Sequence, residues 1–99
     1  MAIKVIRKWV RPSVDVPFYT YTPELTAHIN NTYDNTGKRT SLELFRSEDG
    51  LTSIAASIWT NEDAVTEFVL DPEIVESGAM AENYNKLSGI IQTIEKSEV

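Results

Sequence analysis

The sequence predicts an α+β domain whose elements follow the order β-α-β-β-α-(α)-β, and three observations carry that expectation. Residues 3–11, IKVIRKWVR, are rich in β-branched side chains and show no helical period. Residues 40–60 hold two alternating stretches on either side of Asp49-Gly50, a strong hairpin signal. Two stretches with apolar residues at helical spacing each follow a capping pattern, one at Thr22 and one at Thr60. Elements in this order form the split βαβ, ferredoxin-like arrangement, a four-stranded antiparallel sheet with its helices on one face.

Each element has its own local reason. In the first strand Ile3, Val5 and Trp9 alternate onto one face with Arg7 and Arg11, and Ile6 and Val10 share the other with Lys4 and Lys8. Residues 12–22, PSVDVPFYTYT, contain Pro12 and Pro17, which disfavour helix and restrict the residue before them. They read as an extended loop, long enough to be functional or lid-like, whose Phe18, Tyr19 and Tyr21 must pack on something. Thr22-Pro23-Glu24 starts a helix with a capping hydroxyl, a proline at the first position and an acid near the positive end. Leu25, Ile29 and Tyr33 make its apolar stripe, and Gly37 is the expected stop. The hairpin follows. Thr60-Asn61-Glu62-Asp63 resembles a capping box, and Ala64, Val65, Phe68 and Val69 form the next stripe. Asp71-Pro72-Glu73 opens a second helix start. Residues 73–87 then read as a short helix and a loop broken around Gly78, residues 89–95 as the last strand, and Lys96–Val99 as a frayed tail.

Composition excludes several chemistries. The chain has 99 residues, which is one domain over 1–99, and 41% hydrophobic content. It has no cysteine, which rules out disulfides, Cys-ligated zinc, iron–sulfur clusters and thiol catalysis. A small domain without disulfides often gains stability by self-association. No apolar run reaches the roughly 18 residues of a membrane span, and Met-Ala-Ile-Lys-Val leads directly into a strand pattern, so no membrane partner and a cytoplasmic location are expected. The net charge of −6 argues against a nucleic-acid partner held through phosphates. Charge is uneven, however: Lys4, Arg7, Lys8 and Arg11 are four of the nine basic residues. This is either a charge-blunted edge strand or a local anion site or docking patch. The four glycines are scattered, so no phosphate-cradling loop is present. One histidine, His28, gives no metal site, and a helical pair with Glu24 supplies too few ligands.

Side-chain parity divides the hairpin into two faces. Leu42, Leu44, Ile54, Ala56 and Ile58 form an aliphatic set for the helices, and Glu43, Phe45, Ser53, Ala55, Ser57 and Trp59, joined by Trp9, form a second face. Aromatics on a helix-free face usually mark a partner or ligand. A second copy is the economical cover, which predicts a homodimer. The small Ser53 and Ser57 leave room beside Trp59, to be filled by the twin subunit or left as a cavity. Glu43, if buried on that face, would have a raised pKa suited to acid or base work, unless Arg7 held it ionised. Tyr19, Tyr21, Tyr33 and Tyr84 are further hydrogen-bonding candidates. The candidate cavity set is therefore Trp59, Phe45, Glu43, Ser57 and Trp9.

The element order, together with the strand-to-helix step Trp59-Thr60-Asn61-Glu62-Asp63-Ala64, resembles the dimeric α+β barrel superfamily, in particular the antibiotic-biosynthesis-monooxygenase-like domains. The resemblance implies homodimers whose sheets meet in a barrel, with Trp59 at the tryptophan that lines the cavity of active members. Some members oxidise small aromatic or polycyclic compounds without metal or flavin, so no cofactor is implied. Haem-degrading members pair that tryptophan with a histidine on the next helix, and residues 62–70 contain none. No catalytic set is legible in the residues. The sequence thus supports a binding or interaction module, with a cofactor-independent monooxygenase-like enzyme acting on a small organic molecule as the alternative.

Overall fold

The computed structural model describes all 99 residues. Strand β1 (Ile3–Val10) is followed by helix α1 (Pro23–Ile29), which continues into a π-helical turn at Asn30–Asp34. Strands β2 (Arg39–Arg46) and β3 (Thr52–Trp59) form the hairpin, then come α2 (Glu62–Leu70), α3 (Pro72–Ser88) and β4 (Ile91–Glu98). The sheet is antiparallel with order β2-β3-β1-β4, the ferredoxin-like α+β arrangement.

Thr22 and Asp71 cap as read, accepting from the Leu25 N–H at 3.1 Å and from Glu73 at 3.0 Å, whereas the cap of α2 is Asn61, which accepts from Ala64 at 2.9 Å, and not Thr60. The first helix widens into the π-turn after Ile29, with Asn35 N–H reaching the Asn30 carbonyl at 2.8 Å, and Gly37, at a φ of 78°, stops it as expected, with the Lys38 N–H on the Tyr33 carbonyl at 2.9 Å. Two boundaries differ from expectation. Helix α3 passes through Gly78 unbroken, because tertiary packing outweighs the modest helix penalty of one glycine, and it ends at Gly89, whose φ of 74° is the left-handed cap. The last strand extends to Glu98, which pairs with Ile3, so the tail is held rather than frayed.

The expected face assignment is wrong, and the hairpin register is the reason. Leu42 stands opposite Ser57 and Leu44 opposite Ala55, so the even residues of β2 share a face with the odd residues of β3. Glu43 and Phe45 instead oppose Ala56 and Ile54. The helices cover the face of Ile3, Val5, Ser57 and Trp59, where Leu25, Ile29, Tyr33, Ala64, Val65 and Phe68 complete the core. A register shift between Arg39 and Ser41 turns Arg39 to that same side, where its guanidinium lies 5.9 Å from the Trp59 ring centre and grips Asp34 at 2.6 and 2.8 Å. Strand β1 is also central, not an edge; the edges are β2 and β4.

Trp59 is the pivot of this core. It is 1% exposed, its ring lies 4.9 Å from Phe68 and 5.8 Å from Tyr33, and its indole N–H donates to Ser57 Oγ at 2.9 Å. Trp59→Ala is expected to lower the unfolding free energy by about 3–5 kcal/mol in urea titration, through lost burial and the cavity left behind. A change under about 1 kcal/mol would mean that the ring is not core-like.

Candidate functional site

The helix-facing side of the sheet has two halves. One end, at Ile3, Val5 and Trp59, is packed solid. At the other end lies a cavity of about 600 Å³. Its floor is Arg7 and Trp9 of β1 with the small Ser53, Ala55 and Ser57 of β3, and Leu42 and Leu44 flank it. Ile74, Gly78, Ala81 and Asn85 recur at one-turn and two-turn intervals along α3 and form a wall. The roof is the proline-bounded segment after β1, which contributes Phe18, Tyr19, Thr20 and Tyr21.

That roof is pinned at Val16 and Pro17. Arg11 Nε donates to the Gly50 carbonyl at 2.8 Å and its terminal nitrogen to Val16 at 3.0 Å, tying the segment to the hairpin turn. Tyr84 of α3 donates to the Pro17 carbonyl at 2.5 Å, and its ring lies 5.9 Å from that of Tyr19. Phe18 sits between two guanidiniums, Arg11 at 4.4 Å and Arg46 at 4.9 Å from its ring centre.

Polar side chains line part of the cavity. The Ser57 hydroxyl donates to the Val5 carbonyl at 3.3 Å and accepts from Trp59, so it is structurally engaged. Arg7 is different. Burial lowers its pKa from the ordinary value, the Tyr21 hydroxyl acts in the opposite direction, and neighbouring Arg39 lowers it further. Its guanidinium lies 5.5 Å from the Phe68 ring centre. Asn85 is buried at 5% exposure, and its carboxamide oxygen has no hydrogen-bond partner.

The sequence-predicted set is divided by these observations. Trp9 and Ser57 line the cavity. Trp59 lies in the adjoining packed core rather than in the cavity wall. Phe45 and Glu43 lie on the opposite, helix-free face and are exposed there, so Glu43 is neither desolvated in this cavity nor within reach of Arg7. Of the tyrosines, Tyr19 and Tyr21 line the cavity, whereas Tyr84 is engaged by the roof and Tyr33 by a separate cluster. Arg7 carried a signal in the basic run of β1. Asn85 carried none, because the stretch after Gly78 reads as a loop, where a polar residue reads as solvated.

The separate cluster joins three elements. Asp71 Oδ2 accepts from the Tyr33 hydroxyl at 2.6 Å and from His28 Nε2 at 2.7 Å, and Glu73 lies 3.5 Å from His28 Nδ1. His28 therefore pairs across to α3 rather than with Glu24. Burial, then the Asp71 hydrogen bond, raises the Tyr33 hydroxyl well above its ordinary value and keeps it a donor. Burial alone would raise the Asp71 carboxyl, but the bonds from Tyr33, His28 and the Glu73 N–H prevail and hold it below the usual range. The Asp71 bond raises the His28 pKa against partial desolvation, with the charges of Asp71 and Glu73 adding to it.

No protein-family model and no curated protein sequence matches the chain. Solved structures do match in shape. The cofactor-independent oxygenase SnoaB from Streptomyces nogalater superposes with a TM-score of 0.66 at 9% identity, covering 99% of this chain and 92% of that one. A candidate antibiotic biosynthesis monooxygenase from Caulobacter crescentus CB15 gives 0.72 at 17% identity over 99% and 89%. A dimeric ferredoxin-like protein from an uncultured marine organism gives 0.63 at 4% identity over 99% and 94%. The fold is the ferredoxin-like α+β arrangement that these structures share. No helix is long and apolar enough to cross a membrane.

The cluster makes a pH prediction. A raised folded-state pKa at His28 adds stability that is fully present below about pH 6.5 and is lost as pH rises through the folded value. The stability advantage of the native chain over His28→Gln should therefore be larger at about pH 6 than at about pH 9 in urea titrations. An equal advantage at both would exclude the ion pair as its source.

Proposed function

We propose that this chain forms a homodimer through the helix-free face of its sheet and binds a small organic molecule in the cavity behind the other face, acting on it as a cofactor-independent oxygenase. The observation that carries the reading is the 600 Å³ cavity, walled by aromatics and roofed by a pinned segment. Its volume falls in the range of ligand sites. Of the two readings of the sequence, the structural likeness to SnoaB, described as a cofactor-independent oxygenase, supports the enzyme over the interaction module.

In oxygenation without metal or flavin, the substrate supplies the electrons to dioxygen. The protein's task is to hold the substrate away from water and stabilise its anionic form. The aromatic walls suit the first part, and Arg7 suits the second. With a dihydroxyanthrone, the reaction converts the ring methylene to a carbonyl with one oxygen atom and releases the other as water. Oxygen uptake and quinone absorbance above the uncatalysed rate are expected for the native protein, and loss of both for Ala55→Phe, which projects a ring from the cavity floor. Equal rates in the two would place any reaction outside the cavity.

Homodimerisation rests on the open face. Ile6, Val10, Ile54, Ala56 and Ile58 are only half-buried there, and Phe45 is 52% and Ile91 66% exposed. The chain exposes 6441 Å², against about 5,650 Å² for a compact monomer of its mass. Lys4 and Lys8 share the face with Glu43 and Glu95, so a two-fold copy can meet either charge with its opposite. Sedimentation is expected to give twice the 11.1 kDa chain mass, and Ile54→Glu to give the single chain; a monomeric native protein would remove the dimer.

A further inference from the structure

We propose that the molecule taken up by the cavity is a planar aromatic carboxylate, with Arg7 as its counter-charge and Asn85 as the partner of a second polar substituent. This rests on the reading of the cavity as a small-molecule site.

Charge around the cavity runs against the rest of the protein. The chain carries −6 overall, yet Arg7, Arg39 and Arg46 line the cavity and Glu82 is the single acid among its lining residues. Arg39 is neutralised by its two-pronged bond to Asp34. Arg46 rests on Phe18 at the roof, with no carboxylate in bonding distance. Arg7 stands on the floor between Trp9 and Val5 in sequence alternation, against the Phe68 ring, with no carboxylate in bonding distance.

Arg7 is half-buried, so its guanidinium keeps only part of its hydration, and folded chains ordinarily supply a carboxylate or carbonyl to such a group. Here the groups that act on Arg7 are a tyrosine hydroxyl and another arginine, with no acid among them. Its free donors thus face the cavity, and the planar fork matches a carboxylate with two parallel hydrogen bonds. One such fork suits a singly charged planar group better than a phosphate, which needs donors from several directions.

Asn85 is the independent second observation. It belongs to the α3 wall, is 5% exposed, and its carboxamide oxygen is unpartnered. Rotation of the amide presents either its oxygen or its NH₂ to the cavity. A hydroxyl or carbonyl on the ligand would complete it. Aromatic character follows from the surroundings, since Trp9, Phe18, Tyr19, Tyr21 and Phe68 supply ring faces and edges.

Two isosteric probes, naphthoate and naphthamide, test the charge separately from the cavity. Titration followed by tryptophan fluorescence should show the native protein binding naphthoate more tightly than naphthamide, by about tenfold. Arg7→Met, which keeps the apolar stem, should abolish that preference. Arg7→Lys, which keeps the charge, should retain part of it and serves if the methionine variant does not fold. Hydroxynaphthoate should gain over naphthoate in the native protein but not in Asn85→Leu; absence of that gain overturns the role of Asn85. Naphthamide binding equal to or tighter than naphthoate overturns the charge assignment and leaves the cavity standing. Binding of neither overturns the small-molecule reading and this inference together.

Discussion

Side chains on a strand alternate with a period of two, so the register between β2 and β3 determines which residues meet the helices and which do not. With Leu42 opposite Ser57, the odd residues of β3 point to one side together with Leu42, Leu44 and Arg46 of β2. Trp59 and Ser57 are thereby committed to the helix layer, and Phe45 and Glu43 to the open face. A slip of one residue would bring Glu43 and Trp59 to the same face, so that either Glu43 was buried beneath the helices or Trp59 was exposed. The hairpin turn enforces the register: Gly50 adopts a φ of 74°, its N–H reaches the Ser47 carbonyl at 3.0 Å, and the Ser47 hydroxyl is bonded to Asp49 at 2.6 Å. Arg11 then fastens the same turn to the roof of the cavity. One turn thus sets both the floor of the cavity and the anchorage of its roof.

The helix layer depends on a different constraint. Helix α1 is short, and its continuation as a π-turn gives Tyr33 the reach to donate to Asp71 at 2.6 Å. Asp71 simultaneously caps α3 and terminates α2. Three helical segments therefore meet at one carboxylate with three hydrogen-bond donors around it, which is why it stays ionised at low exposure. The consequence reaches the cavity: α3 takes its direction from Asp71, and its direction places Ile74, Gly78, Ala81 and Asn85 along the wall.

The element order is readable in the residues because its signals are local. Thr22-Pro23, Asn61, Asp71-Pro72 and Asp49-Gly50 each act within four positions, and each does in the structure what its chemistry suggests. The faces are not readable in the same way. Parity within β2 or within β3 is local, but their phase relative to each other depends on how many residues the turn consumes and on the irregularity at Thr40. The cavity is harder still. Arg7 reads as a flaw in an otherwise apolar alternation, and Asn85 as an ordinary polar helix residue. Only the placement of α3 across β1 makes them members of one site. Phe18, Tyr19 and Tyr21 were legible as a group needing cover, and the structure gives them the opposite task, since they cover the cavity.

Separating the two faces changes how assembly and ligand chemistry relate. Were Trp59, Phe45 and Glu43 on one surface, a dimer and a ligand would compete for the same apolar area, and stability, self-association and binding would respond together to any substitution there. The register divides them. Aliphatic Ile6, Ile54, Ala56 and Ile58 occupy the open side, while Arg7, Trp9 and the small residues of β3 occupy the cavity side. The two sides share only the backbone of β1 and β3, whose ladder is continuous from Ile3 to Val10. The open face is therefore largely aliphatic, whereas the half-buried guanidinium and the unpartnered carboxamide lie on the cavity side. A sheet one residue thick thus keeps these polar groups off its open face.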